Sequence, residues 1–220
     1  MNRIYTTIII CLISTIGYSQ SSDLGNWLIY FGNKQIDKQW NWHHEVQYRN
    51  YNIIGDLEQL LLRTGIGYNL TENNNNVLLG YGFINSQNYI PNTDDKQGVN
   101  ENRIYQQFIT RQSIGRVRLQ HRYRFEQRWI ENQDFKLRFR YFLAINVPLN
   151  NSDMIDKTYY ISAYNEIFLN NKDPVFDRNR LYAGIGFKLN NFARFEVGYM
   201  NQFLSNGNRD QINLITFLNF

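Results

Sequence analysis

Six arginines, Arg118, Arg122, Arg124, Arg128, Arg138 and Arg140, fall on one side-chain parity of two neighbouring segments, and Arg49 and Arg63 hold the same parity in earlier ones. Glu45, Glu126, Glu166 and Glu196 share that parity, and Arg111 and Arg194 are candidates to join it. Guanidinium forks and carboxylates gathered on one face can do three things. They can interlock as ion pairs that fill an interior, attract anions along a narrow passage, or bind an acidic ligand.

Catalytic constellations are thinner. His43 and Glu45 share a face, as a general base and its orienting carboxylate would, and Ser113 and Ser162 are the hydroxyls nearest to a nucleophile's role. No Gly-x-Ser-x-Gly elbow accompanies them, and a triad is defined by geometry rather than spacing. The plainer expectation is a histidine hydrogen-bonded to its neighbours. With three histidines and no calcium-loop spacing around Asp94-Asp95, no metal or other cofactor is implied.

The elements that carry these groups are strands with two unlike faces. From Arg116 to Trp129 charged or amide residues alternate with apolar or aromatic ones, over about twice the usual strand length. In the next segment Phe135, Leu137, Phe139, Tyr141, Leu143, Ile145 and Val147 oppose Lys136, Arg138, Arg140 and Asn146. The same alternation recurs over Trp40–Arg49, Gln59–Leu70, Val77–Ile84, Leu181–Leu189, Arg194–Met200 and Ile212–Phe220. Oily outside and polar inside, this is the pattern of an antiparallel transmembrane β-barrel of about 10–12 strands. Glycines at 65, 67, 80, 82, 184, 186 and 198 fall on the inward parity, where a missing side chain admits bulky neighbours.

The count of strand-like segments is about eleven, whereas a bacterial barrel takes an even number with both termini in the periplasm. Trp27 to Lys34 is the segment most suspect as a piece that does not cross. Asn85 to Asn102 loses the alternation and reads as a long extracellular loop, its Gln87–Asn102 part free to dock a protein partner. Asn190-Asn191 reads as a two-residue hairpin loop using positive φ.

The first 19 residues read as a signal peptide, with Arg3, an apolar run from Ile8 to Ile16, and small residues before a cut after Ser19. Residues 20–220 then form one domain. The sole cysteine, Cys11, leaves with the leader, so disulfides and thiolate chemistry are excluded from the mature chain. The formal charge of +4 is mild, and arginines that alternate with aromatics form no surface patch for nucleic acid. Mean hydropathy is negative, which a barrel tolerates because only alternate residues in its band need be apolar. Sixteen tyrosines, fifteen phenylalanines and four tryptophans suit aromatic girdles at two membrane interfaces.

The segments Trp40-Asn-Trp-His-His-Glu-Val-Gln-Tyr-Arg49, Asp56-Leu-Glu-Gln-Leu-Leu-Leu-Arg-Thr-Gly-Ile-Gly-Tyr68, Arg138-Phe-Arg-Tyr141 and Tyr160-Ile-Ser-Ala-Tyr-Asn-Glu166 resemble the DUF2490 family, uncharacterised secreted proteins common in Bacteroidetes. The terminal Phe220 is similar to the aromatic signature read by the outer-membrane barrel assembly machinery. These resemblances imply an outer-membrane location among lipid and lipopolysaccharide, and bring no activity or catalytic residue with them. The leading expectation is a structural or narrow-pore barrel with an Arg/Glu-lined interior. The alternatives are an outer-membrane enzyme acting on lipid or lipopolysaccharide, and a soluble periplasmic β-barrel or sandwich that binds a ligand.

Overall fold

In a computed structural model, residues 24–72 and 74–220 are described. The expected signal peptide lies outside them. Eleven strands close into one barrel: β1 Gly25–Gln35, β2 Trp40–Asn50, β3 Leu57–Asn69, β4 Asn75–Tyr89, β5 Lys96–Ile114, β6 Val117–Ile130, β7 Lys136–Pro148, β8 Thr158–Asn170, β9 Phe176–Lys188, β10 Ala193–Leu204 and β11 Gly207–Asn219. Each strand pairs antiparallel with its chain neighbour, and β1 closes the ring on β11 in parallel, from Gly25 beside Gln211 to Asn33 beside Asn219. Closure leaves no sheet edge to satisfy, which is what an apolar surrounding demands.

Two expectations change here. Trp27–Lys34 is a full barrel strand, paired on both sides, because Trp27, Ile29 and Phe31 supply inward residues against β2 and β11. The count among the described residues is therefore eleven rather than an even number, and Gly25 and Phe220 lie at opposite rims. Phe220 continues the seam by donating its N–H to the Asn33 carbonyl at 2.8 Å and accepting from Gln35 N–H at 3.0 Å.

Asn85–Asn102 is not a long loop. β4 and β5 continue as a paired hairpin up to Tyr89 beside Lys96, leaving residues 90–95 as the turn. Polar side chains take the place of apolar ones: the Asn85 amide donates across the ladder to Asn100 Oδ1 at 2.9 Å, and the Gln87 amide donates along β4 to Asn85 Oδ1 at 2.6 Å. At the other rim the β9–β10 connection spans residues 189–192, not two residues, and neither Asn190 nor Asn191 takes positive φ. Asn190 Oδ1 accepts from the backbone N–H of Phe192 and Ala193, an Asx turn that makes positive φ unnecessary.

The outer wall is largely apolar, with Leu28, Val46, Leu62, Leu79, Phe139, Ile185, Val197 and Leu214 each exposed, and turns more polar along β5. Inside, Tyr105 lies over Gly80, Tyr160 over Gly186, and Tyr182 over Gly184 and Gly198, so the inward glycines seat the largest lumenal rings.

A charged septum divides the lumen

Three glutamates on β2, β6 and β8 stand on the inward parity, each opposite an arginine of a neighbouring strand: Glu45 beside Arg63, Glu126 beside Arg138 and Glu166 beside Arg180. Glu126 accepts from Arg138 Nε at 2.9 Å and Nη2 at 2.6 Å on one oxygen, and from Arg140 Nη1 at 2.7 Å on the other. Arg140 turns its remaining nitrogens to Glu166 Oε1 at 3.1 and 2.6 Å, where Arg122 also donates at 2.8 Å. Glu45 accepts from Arg63 Nη1 at 2.5 Å and from the Gln47 amide, and its second oxygen lies 3.5 Å from His43 Nε2. Glu45, Glu126 and Glu166 expose at most 3% of their surface. Charges so buried cost several kcal/mol each unless paired. Here bidentate, charge-assisted bonds meet that cost.

Aromatic rings hold the guanidinium planes. Arg138, Arg140, Arg178 and Arg180 surround Phe168 at 5.2, 4.4, 5.9 and 4.6 Å from its ring centre, and Trp27 sits between Arg49 at 3.8 Å and Arg180 at 4.8 Å. Arg124 stacks over Tyr105 at 4.5 Å while donating to Gln107.

The septum separates two chambers. One of about 800 Å³ opens at the Phe220 rim and one of about 370 Å³ at the opposite rim, and Arg49, Arg63, Arg140 and Arg180 border both. Toward the Phe220 rim, Arg118 pairs with Asp153 of the β7–β8 loop, and Glu196 accepts from Tyr160 OH at 2.8 Å with Arg194 Nε 3.9 Å away. Toward the other rim, Arg128 and Arg103 both grip Glu101. All twelve charged residues read from the sequence thus point into the lumen, although they do not form one cluster: Arg118 and Glu196 belong to the large chamber, Arg128 to the small one, and the rest to the septum and its borders.

Sequence reading missed five partners. Glu101 and Arg103 lay in or beside the stretch taken for a loop, and Asp177, Arg178 and Arg180 preceded the segment read from Leu181. Their signal was present as Arg103-x-Tyr105-x-Gln107 and Arg178-x-Arg180-x-Tyr182, each on inward parity. His43, Ser113 and Ser162 all line the large chamber, but among the described residues no hydrogen bond joins His43 to either serine, and its neighbour Glu45 is committed to Arg63. Among those residues no group of metal-ligating side chains converges.

A closed, mostly antiparallel barrel, sealed by a parallel seam and lined inside by interlocked arginines and glutamates, is the class of protein that fold and site define. Residues 24–213 match the family described as protein of unknown function (DUF2490), and the chain belongs to that family. It is also 29% identical over 167 residues to an uncharacterised protein of Methylorubrum extorquens, an alignment covering 72% of this chain and 69% of that one. No solved structure matches it.

Proposed function

We propose that the protein is an outer-membrane barrel with an anion-attracting lumen that is closed in the conformation described, the septum being the closure. The observation that carries this reading is the pairing of Glu126 and Glu166 through Arg140 at the point where the two chambers meet. Membrane residence is supported by exposed aliphatic and aromatic side chains over most of the outer wall, an arrangement that water would penalise and lipid would not. Outer-membrane lipid and lipopolysaccharide are the partners this surface fits. Phe220, half exposed at its rim, suits recognition by the barrel assembly machinery.

The test is conductance in planar bilayers. The native protein gives sparse, small openings, and Glu126→Gln, which releases Arg138 and Arg140 from their shared anchor, gives larger anion-selective steps. A native protein that conducts steadily, with currents unchanged by Glu126→Gln, would rule out the septum as closure. The exposed apolar wall also argues against a soluble periplasmic binder, and the committed state of Glu45 argues against a His43-based hydrolase.

A further inference from the structure

The small chamber carries more positive charge than the carboxylates in and behind its wall neutralise. Nine arginine and lysine side chains line its 370 Å³, with Glu101 and Asp177 in the same wall and Glu45, Glu126 and Glu166 of the septum behind Arg63, Arg138, Arg140 and Arg180. Both wall carboxylates are already saturated: Arg103 and Arg128 each bind Glu101 through two nitrogens, and Asp177 takes Arg138 at 2.9 Å and Arg178 at 3.1 Å. Among the described residues Arg49 hydrogen-bonds only to amides, donating to Gln47 and Gln59, and Lys136 donates only to Gln133. Neither has a carboxylate at ion-pair distance among the described residues. Arg178 Nε and Arg63 Nε are buried with no hydrogen-bond partner. Like charges crowded in a low-dielectric space repel strongly unless a counter-charge sits among them.

The wall also limits what that counter-charge can be. Val99, Ile130 and Phe168 are its only apolar side chains, and Phe168 is ringed by guanidinium groups. An apolar body would find little to rest on. The volume is at the lower end of ligand pockets, which run from about 300 to 1,000 Å³. Guanidinium forks match the paired oxygens of phosphate as well as carboxylate, and a multiply charged ion answers several of them at once. We infer that the small chamber is a binding site for a small, multiply charged oxyanion of the phosphate type, held by Arg49, Arg178 and Lys136 above the septum. The large chamber, with Phe142, Phe217, Ile215 and Ala144 in its wall, lacks this uniform polarity. The inference rests on the closed lumen proposed above, which makes the chamber a blind pocket rather than a stretch of open channel.

Calorimetric titration of the full chain in detergent with inorganic phosphate, and separately with diphosphate, in low-salt buffer tests it. One saturable site is expected, weakening as salt rises. Removing the two charges in Arg49→Gln/Lys136→Gln should cost about tenfold or more in affinity, since each charge-assisted bond is worth more than a neutral one. The double variant Arg111→Gln/Arg194→Gln, altered only in the large chamber, should bind as the native protein does. Neither substituted residue of the first pair is anchored to a carboxylate, so the barrel is expected to survive, and retained heat-modifiable gel mobility checks that it has. If Arg49→Gln nevertheless prevents folding, Lys136→Gln alone should still weaken binding. No saturable heat, unchanged affinity in the small-chamber variants, or equal loss in the large-chamber variant would each overturn the site. A folded, closed barrel with no phosphate binding rejects this inference and leaves the closure intact; an open conducting barrel rejects the closure itself.

Discussion

Glu126 exposes none of its surface and holds two arginines while a third, Arg124, stands 3.8 Å away. Glu126→Ala would leave those charges buried without their anchor, and we expect a loss of about 3–5 kcal/mol, the usual cost of breaking a buried pair from one side. Urea unfolding of the detergent-solubilised protein measures it, and a loss under about 1 kcal/mol, the value of an exposed pair, would mean the septum is hydrated. At Gly186 an added Cβ would lie 2.1 Å from the Tyr160 ring. That ring is fully buried and tethered through its hydroxyl to Glu196, so Gly186→Ala should cost about 1–3 kcal/mol from overpacking. Adding Tyr160→Ser should recover part of it, and strict additivity in the double-mutant cycle would contradict the contact. The inward parity of all twelve charged residues was legible because strict alternation survives any shift of neighbouring strands by two. Which carboxylate meets which guanidinium was not legible, because that depends on register between strands, and Glu45 finding Arg63 instead of serving His43 is decided there.

Strand β5 shows why boundaries were harder to read than faces. Its outward positions include Asn100, Asn102, Gln106 and Gln112, so the apolar half of the pattern fades although pairing continues without a break. The polar outward groups answer one another, as in the Gln106–Gln127 amide pair at 3.0 Å and Tyr81 OH donating to Asn102. Outward-facing Phe139, its ring tilted against that of Phe125 with centres 4.7 Å apart, gives the contrasting test. Phe139→Arg should cost about 2–4 kcal/mol if the wall faces the bilayer midplane, and full tolerance in unfolding measurements would contradict that. At the Gly25 rim, Asp56 of the β2–β3 loop binds Lys96 and accepts from Tyr89 OH at 2.9 Å. Partial burial works to raise the Asp56 carboxyl, but the bonds from Lys96 and Tyr89 outweigh it and hold the group below the ordinary carboxylate range. A depressed carboxyl stabilises the folded loop at and above its unfolded value of about 3.9 and loses that contribution as pH falls through its lower folded value. Proteolysis within residues 51–55 should therefore be constant through neutral pH and rise only under acid conditions; a rise beginning near pH 6 would contradict the assignment.

For the whole molecule, the odd strand number decides orientation. The β1–β11 parallel seam puts Phe220 and the turn at residues 90–95 on opposite rims. If assembly leaves Phe220 in the periplasm, that turn faces outward. A cysteine placed at Thr93 should then react with a membrane-impermeant reagent on intact cells while one at Asn191 does not; labelling of both would contradict a spanning barrel. Alternation pointed to about eleven segments and only the rule for bacterial barrels argued for an even count; nothing in the Trp27–Lys34 pattern states that its second neighbour will be the last strand in parallel. The measurement that bears most directly on the account is fractionation of the expressed protein followed by gel migration with and without boiling. Recovery with the outer membrane and a band that shifts on heating is the predicted result. A soluble protein whose mobility is the same before and after boiling would contradict the membrane-spanning closed barrel.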